Sequence, residues 1–522
     1  MPIVEALLAL IAACVGFALL ARRLRMPYAV VLVLGGMAIA FIPNVPAVTL
    51  DPAIALTFFL PPLLQGSAYR TDWRAFRSFL RPILMLAVGY VVFTAFAIGC
   101  VAKLLVPEMP WAAAITLGAI VAPPDAVAAA AVMKGLRIPR RITVVLEGES
   151  LLNDASALVL YRFAIAAVGA AAVAPHIAAA TFLLLAAGGV AAGWVVGRAT
   201  IWALRRLNDT MLETVLSFLA GFAAFFLAEA LHASGVIAVV TTGILLGVTQ
   251  HRVISARTRQ ESRAVWEFVE FVLNSLVFIL IGLQLNGILQ RLSGWDSWQL
   301  LGIAVALSSA LIVMRFVWVF PGALLPRLIP AIRRSETRPP NSWIVVVCWA
   351  GMRGVVSLAA ALALPADFPQ RDLIIFLAFC AILATLVLQG TTLAPLIRWL
   401  RIEERGADGM HPREAEARRL VAKATLVHLR VRAEDPLEGA IARDLLQEYE
   451  DKARVYDGIS KGASAAELTA RLQLRLAALR AGRERLLLHH REDGLEGELL
   501  MGIEQELDLE ELRLRRLLGA DA

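Results

Sequence analysis

The sequence predicts an all-α polytopic membrane protein with about 13 transmembrane helices and a charged helical tail. Of the 522 residues, 59% are hydrophobic and 18% are charged, whereas soluble domains average about 45–50% and about 25%. The mean hydropathy is +0.70, and the apolar residues form runs of roughly 20, long enough to cross a hydrocarbon layer. This composition excludes a soluble enzyme, a nucleic-acid-binding protein and a disordered chain.

Thirteen apolar runs within the first 400 residues are the candidate transmembrane helices. They lie at 3–21, 28–42, 52–67, 82–102, 111–133, 143–172, 175–197, 211–232, 234–249, 264–286, 298–325, 341–363 and 372–397. Three of the runs contain an arginine, and these buried arginines (Arg162, Arg315 and Arg353) are candidates for a functional or structural role. For Arg315, a lipid headgroup and a neighbouring acid are both possible partners.

The basic residues of the loops predict the orientation of the chain. Alternate loops hold 25 Lys and Arg residues, whereas the intervening loops hold only Lys103, Arg291 and Arg371. Because positive loops stay inside, we expect a multi-pass protein of the cell membrane, in bacteria the inner membrane. Its N-terminus should lie outside and its C-terminus in the cytoplasm. The net charge of +7 is thereby explained without a nucleic-acid partner.

The composition changes abruptly after Leu400. Residues 401–522 carry 21 Lys and Arg and 25 Asp and Glu, with helical spacing of apolar residues over 472–488 and 499–518. We therefore predict a transmembrane domain over 1–400 and a charged cytoplasmic helical region over 401–522. This region is either a solvated tail without chemistry or a segment for regulation or self-association.

Two of the runs contain helix-breaking residues beside an ionisable group. In the fifth run, Pro123 and Pro124 remove two backbone donors just before Asp125, which predicts a break near 121–127. In the twelfth run, Gly351 and Gly354 flank Arg353, which predicts a break near 349–356. Each is the fifth run of its half if runs 1–6 and 8–13 are inverted repeats, and such paired breaks indicate a transporter site.

The sixth run supplies a carboxylate within the membrane. Ser150 and Asp154 are separated by four residues and share one helix face, and their oxygens suit a hard cation. Glu149 points elsewhere, and we predict that it forms a structural pair with Arg353.

Asp154 can explain coupled transport by itself. Burial disfavours a bare carboxylate, so the group should hold either a proton or a cation, but not both. Competition for this site would couple two ion gradients. The alternative is that Asp154 is a structural partner of Arg162 or Arg315.

Five segments together resemble the monovalent cation:proton antiporter family, which includes bacterial NhaP-type antiporters and animal sodium/proton exchangers. They are Phe59–Leu64, Gly148–Asp154, Ser234–Val240, Leu273–Leu276 with Ile281–Gln284, and Gly351–Gly354. The resemblance covers the membrane part and does not extend to the tail from Ile402.

The resemblance implies a fold, a function and a set of site residues. The fold has two crossing broken helices and a homodimer interface, and the protein is not an enzyme and needs no cofactor. Asp154 would carry the ion and the proton, with Ser150, the Pro124 carbonyl and Asp125 as further metal ligands. Asn153 matches the electroneutral pattern of one cation for one proton. Glu149 and Arg353 match the family's structural pair.

Two departures from the family pattern bear on the choice of ion. Pro124, Asp125 and Ala126 stand where the family usually has Thr-Asp-Pro, so a hydroxyl expected to bond Asn153 is missing. Gln65 and Gly66 stand where several members carry a glutamate. The sequence thus predicts antiport of Na+, with Li+ or K+ possible, for protons in pH homeostasis. A K+/H+ antiporter is the main alternative, and a cation channel and an intramembrane aspartyl protease using Asp125 and Asp154 are remote ones.

Overall fold

The computed structural model describes most of the chain, and the only regular secondary structure of the described residues is helical. These are residues 2–43, 55–133, 136, 138–169, 175–207, 209–292, 294–330, 334, 338–402, 412–434, 439–460, 466–493 and 497–518. The all-α prediction is confirmed for these residues. The chain divides into two compact units, Met1–Glu403 and Glu404–Ala522.

Sixteen helices of the first unit position the site. They are α1 (Pro2–Leu24), α2 (Tyr28–Ala40), α3 (Leu60–Arg70), α4 (Trp73–Ser78), α5 (Leu80–Leu105), α6 (Trp111–Val121), α7 (Ala126–Met133), α8 (Arg140–Gly169), α9 (Pro175–Leu204), α10 (Thr210–Ala230), α11 (Gly235–Val253), α12 (Ala256–Arg291), α13 (Ser297–Leu324), α14 (Asn341–Trp349), α15 (Val355–Leu362) and α16 (Arg371–Trp399).

Eight helices of the described residues are long and apolar enough to cross a membrane, namely α5, α8 to α13 and α16. Helices α2 and α6 are apolar but shorter. A helix or a pair of helices overlaps each of the thirteen predicted runs.

Both predicted helix breaks are confirmed. Helix α6 ends at Val121 and α7 begins at Ala126, so the two prolines lie in the non-helical segment 122–125. Likewise, α14 ends at Trp349 and α15 begins at Val355. The two breaks meet, because the backbone N–H of Asp125 donates a hydrogen bond of 2.6 Å to the carbonyl of Met352.

Glycine allows the close approach of α2 and α12, which form one wall of the site. A Cβ atom on Gly36 would lie 2.3 Å from the carbonyl oxygen of Ile279, and one on Gly282 would lie 2.2 Å from that of Val33. Small residues that let backbones touch are typical of membrane helix interfaces. Either side chain would therefore force the two helices apart.

Three π-helical turns interrupt the regular hydrogen bonding in the described part of the membrane unit. They are Ala55–Phe59 before α3, Met85–Tyr90 within α5 and Thr385–Gln389 within α16. A π turn adds one residue and is frequent at functional sites. At the turn within α5, the indole N–H of Trp318 on α13 donates a hydrogen bond of 3.1 Å to the carbonyl of Met85.

The second unit contains four helices, α17 (Pro412–Arg432), α18 (Gly439–Ser460), α19 (Ala466–Asp493) and α20 (Gly497–Leu518). Ala422 and Leu426 on α17 are buried in one cluster with Ala453 on α18. The predicted helical segments 472–488 and 499–518 lie in α19 and α20, so the helical character of the tail is confirmed.

Candidate ion site

The break between α6 and α7 faces Asp154 across a cavity of about 670 Å³. Four of the predicted site residues line this cavity: Pro124, Asp125, Ser150 and Asp154. Asp154 lies in the middle of α8 and is only 8% exposed. Ser150 and Asp154 were expected on one helix face from their spacing, Asp125 from the predicted break, and Pro124 from the family resemblance.

Asp125 holds the two broken helices in register. Its Oδ1 accepts a hydrogen bond of 2.8 Å from the backbone N–H of Val127, which caps the first turn of α7. On the opposite side, Gly354 of the second break packs directly on Asp125, and a Cβ atom there would lie 2.1 Å from Oδ2. Asp125 therefore packs between the two breaks and also lines the cavity.

Asn153 connects α8 to the first break. Its Nδ2 donates a hydrogen bond of 2.7 Å to the carbonyl of Pro124. Its Oδ1 is buried and finds no hydrogen-bond donor among the described residues, which agrees with the missing hydroxyl noted from the sequence. The Pro124 carbonyl keeps a second lone pair for another ligand.

The predicted pair between Glu149 and Arg353 is wrong. Glu149 instead accepts two hydrogen bonds of 2.8 Å, one from each terminal nitrogen of Arg315 on α13. Both side chains are almost fully buried, at 1% and 0% exposure. Two parallel N–H···O bonds are the preferred geometry of an arginine–carboxylate pair, so Arg315 already neutralises Glu149 without Arg353.

Arg353 binds backbone carbonyls and a phenol instead of a carboxylate. Its Nε donates 2.9 Å to the carbonyl of Val121, and Nη1 donates to the carbonyl of Gly351. Its Nη2 donates 2.8 Å to the hydroxyl oxygen of Tyr90. The break in the first helix removes the amide partner of the Val121 carbonyl, and the guanidinium replaces that partner. Arg353 therefore satisfies the backbone that the crossing leaves open.

The alternative structural role for Asp154 is also excluded. Arg315 is paired with Glu149, and Arg162 lies 3.5 Å from the carboxylate of Glu229 in a half-exposed pair. Within the described residues, no ion pair or hydrogen bond to Asp154 is found. Its carboxylate remains available to the cavity.

The cavity also has a charged end that the sequence interpretation missed. Arg70, Glu147, Arg263, Glu267 and Glu270 line it. Arg70 Nη1 donates 2.6 Å to Oε1 of Glu270, whose side chain is 17% exposed. Two of these acids, Glu267 and Glu270, fall inside the predicted run 264–286, and an acid within an apolar run was the signal that could have identified them.

Gln65, which stands where several family members carry a glutamate, does not face the cavity. Gln65 Nε2 donates a hydrogen bond of 2.6 Å to the carbonyl of Ser217 on α10, so its side chain points toward α10. Gly66 leaves the room that Glu270 occupies, because a Cβ atom on Gly66 would lie 2.0 Å from Glu270 Oε1. The carboxylate at this place in the cavity thus comes from α12.

The oxygens around the cavity define its chemistry. Two carboxylates, a hydroxyl and a carbonyl belong to Asp154, Asp125, Ser150 and Pro124, and such ligands suit hard cations. A carboxylate that no protein group neutralises must bind a cation or a proton when it is shielded from water.

Comparison with known proteins identifies the family of the chain. The family model of the transmembrane sodium/hydrogen exchanger matches residues 7–399. An uncharacterized Na(+)/H(+) exchanger of Mycobacterium tuberculosis is 35% identical over 97% of this chain and 95% of its own length. A sodium, potassium, lithium and rubidium/H(+) antiporter of Bacillus pumilus is 31% identical over 80% of this chain and 64% of its own.

A solved structure has the same fold. The sodium proton antiporter MjNhaP1 of Methanocaldococcus jannaschii aligns with a TM-score of 0.60 over 77% of this chain and 99% of its own, at 19% identity. Since the family model covers more than half of the chain, the resemblance found in the sequence is confirmed. The protein is a transporter, not an enzyme, and belongs to the sodium/hydrogen exchanger family.

Proposed function

We propose that the protein exchanges a monovalent cation, first of all Na+, for protons across the cell membrane. The observation that carries this proposal is the Asp154 carboxylate, which lines a cavity with three other oxygen ligands and has no partner among the described residues. One carboxylate binds either a proton or a cation, so each ion displaces the other. Alternating access of this site to the two sides couples their gradients.

The direction in which the cavity opens follows from the loop charges. Its charged end is formed by the last turn of α3, which contains Arg70, and by the N-terminal parts of α8 and α12. Glu147 and Arg263 each lie about two turns after the start of their helix. The positive-inside rule assigns these helix ends to the cytoplasm. The described conformation would then be inward-facing, with the N-terminus outside and the C-terminal region in the cytoplasm.

The finer architecture is proposed on the same basis. Thirteen crossings would follow if α6 with α7, and α14 with α15, each cross the membrane once. Two halves related as inverted repeats would then place the two breaks at corresponding positions. From the resemblance to the antiporter family, we also propose a homodimer embedded in membrane lipid.

We propose that one cation is exchanged for one proton. Asn153 lies next to Asp154 in the chain, and its amide is neutral and bound to the Pro124 carbonyl. Only Asp154 then changes its occupant during the cycle, with Asp125, Ser150 and Pro124 as further ligands. No net charge would cross the membrane.

Potassium is the alternative substrate, and one observation favours it. Gln65 points away from the cavity and supplies no ligand, and the Glu270 carboxylate that lies at this place is bound by Arg70. The site therefore has less uncompensated negative charge than one that keeps the family's glutamate. The relative from Bacillus pumilus is named for sodium, potassium, lithium and rubidium. A K+/H+ exchange, or a broad selectivity, would agree with that name.

The test is proton flux in inside-out vesicles that contain the purified protein, challenged in turn with Na+, Li+ and K+. Each transported cation should release protons, and its apparent KM should fall as the pH rises because protons compete for Asp154. The Asp154→Asn variant should lose exchange with all three cations.

Glu229→Gln is the matched control, because it removes a carboxylate of a membrane helix that does not line the cavity. It should exchange like the wild type. Exchange by Asp154→Asn at the wild-type rate would overturn the site assignment. Cation flux that ignores the proton gradient would indicate a channel instead.

A further inference from the structure

The wall of the ion cavity that α2 and α12 form carries two polar side chains that the proposed mechanism does not use. Tyr28 is the first residue of α2, Asn274 lies within α12, and both line the cavity. Asn274 is only 8% exposed, and Tyr28 is half-buried. Neither side chain forms a hydrogen bond with any of the described residues. Because buried polar groups normally have a partner, we expect the partners of these two inside the cavity.

Asn274 is the deepest polar residue on the face of α12 that lines the cavity. Glu267, Glu270 and Asn274 follow one another at spacings of three and four residues, so they share this face. At 1.5 Å per residue, Asn274 lies about 6 Å beyond Glu270 along the helix axis. The lining residues of α12 that come after it, Val277 and Phe278, are apolar. Asn274 therefore lies where the charged end of the cavity meets its interior.

Tyr28 lies at the same level of the cavity as Asn274. The centre of its ring is 6.2 Å from that of Phe271 and 6.3 Å from that of Phe278. Phe271 precedes Asn274 by three residues and Phe278 follows it by four, so all three share one face of α12. A ring that contacts both phenylalanines lies beside the turns of the helix between them. The Tyr28 ring and the Asn274 amide are therefore neighbours on this wall.

Tyr28 also connects the charged end of the cavity with the ion site. Its phenol lies close enough to the carboxylates of Asp125 and Glu270 to interact electrostatically with both. Asp125 is a proposed ligand of the ion, and Glu270 belongs to the charged end. The cavity, of about 670 Å³, has room for many water molecules. A cation that reaches Asp154 through it can therefore keep part of its hydration shell.

We propose that Tyr28 and Asn274 bind the hydration shell of the cation at Asp154, an inference that rests on the exchange function proposed above. A water molecule that coordinates a cation points its oxygen at the ion and donates its hydrogens outward. The phenol oxygen and the amide oxygen can both accept such hydrogen bonds, and a bridging water is nearly as favourable as a direct bond. A proton on Asp154 has no such shell. The two residues then stabilise only the cation-bound state and set the preference for cations over protons.

The test measures initial rates of proton flux in the inside-out vesicles over a range of Na+ concentrations at several pH values. Tyr28→Phe removes one oxygen and keeps the ring, and Asn274→Leu replaces the amide by an apolar group of similar size. Each variant should raise the apparent KM for Na+ about threefold to tenfold. The maximal rate should stay unchanged. The KM should fall with rising pH by the same factor as in the wild type, because the proton at Asp154 is unaffected.

Ser275→Ala is the matched control. Ser275 adjoins Asn274, and its hydroxyl is buried without a hydrogen-bond partner among the described residues, but it does not line the cavity. This variant should keep the wild-type KM. A KM raised as much as in Asn274→Leu would assign the effect to the packing of α12 and overturn the proposal. A wild-type KM in Tyr28→Phe, which keeps the packing of the ring, would also overturn it, and so would a changed dependence of KM on pH.

Equilibrium binding separates this inference from the proposed function. The purified wild-type protein in detergent should bind radioactive Na+, and the Kd should rise in Tyr28→Phe and Asn274→Leu by the same factor as the KM. If the wild type bound Na+ without exchanging protons, the exchange function would fail, and the Kd values of the variants would still decide the inference. Unchanged Kd values would overturn the role of the two residues even if the wild type exchanges Na+ for protons.

Discussion

Glu149 and Arg315 form a buried ion pair in which both terminal nitrogens of the arginine lie 2.8 Å from the two carboxylate oxygens. The pair joins α8, which carries Asp154, to α13. Glu149 precedes Asp154 by less than two helical turns on α8, so the pair fixes the position of the helix that carries the ion site.

Breaking this pair should destabilise the protein strongly. Arg315→Met leaves the Glu149 carboxylate buried without a partner, which costs about 3–5 kcal/mol. The double variant Glu149→Leu with Arg315→Met removes both charges and should recover most of the loss. Thermal unfolding of the purified variants measures both effects.

The exposed pair of Arg257 with Glu261 provides the control. Arg257→Gln should leave the Tm unchanged, because a solvated pair contributes little. If the double variant were as unstable as Arg315→Met, the packing of the two side chains and not their charge would matter.

Gly354→Ala should disrupt the crossing of the two broken helices. The new methyl group would lie 2.1 Å from Asp125 Oδ2 and 2.7 Å from Asp125 Cβ, so one break must shift. Overpacking of this kind costs about 1–3 kcal/mol, and cation-dependent proton flux should fall because Asp125 moves.

Gly302→Ala is the appropriate comparison, since it adds a methyl group to an exposed helical glycine with no heavy atom within 4 Å. It should be as active as the wild type and more stable by about 0.5–1 kcal/mol. Normal flux by Gly354→Ala would show that the two breaks need not touch.

Glu270→Gln should weaken the attraction of cations into the cavity. The change removes the carboxylate 2.6 Å from Arg70 and leaves that arginine's charge uncompensated on the ion route. The apparent KM for Na+ should rise several-fold, while the maximal rate changes little because Asp154 is intact. Initial rates over a range of Na+ concentrations measure this.

Glu261→Gln, on the same helix but outside the cavity lining, should keep the wild-type KM. A fall in maximal rate at unchanged KM in Glu270→Gln would instead assign that residue to the transport cycle.

The exchange rate should not depend on membrane potential. If one cation moves against one proton, no net charge crosses, and a potassium diffusion potential of either sign should leave the initial rate of Na+-driven proton flux unchanged. A rate that increases when the membrane is polarised would require a second proton carrier beside Asp154.

The orientation can be measured with reporters. A fluorescent protein fused after residue 522 should fold in the cytoplasm, and alkaline phosphatase fused there should be inactive. The same phosphatase fused after Glu108, in the loop between α5 and α6, should be active because that loop is predicted to lie outside. The reverse pattern would contradict the positive-inside assignment.

The helix breaks were predictable because their causes are local. Pro123 and Pro124 cannot donate backbone hydrogen bonds, and Gly351 and Gly354 mark the second break. The shared face of Ser150 and Asp154 likewise follows from helical periodicity. Site residues set by local geometry could therefore be identified from the order of residues along the chain.

The partner of Glu149 could not be predicted, because the choice depends on how separate helices pack. Arg315 and Arg353 are both buried cations, and the sequence contains nothing about which of them faces α8. Arg353 is occupied by carbonyls that become available only when the two breaks cross. The contribution of Glu270 depends in the same way on Gly66, a residue 204 positions away.

The π turn of α5 has a consequence for the tolerance of this helix to length changes. The turn Met85–Tyr90 contains one residue more than an α-helical turn, and its last residue presents its hydroxyl to Arg353. Deleting a single residue there would regularise the helix but rotate Tyr90 by about 100°. Homologous chains that align without a gap at this turn should therefore contain the same π turn. A homologous chain with a one-residue deletion there should also have a different residue at the position of Arg353.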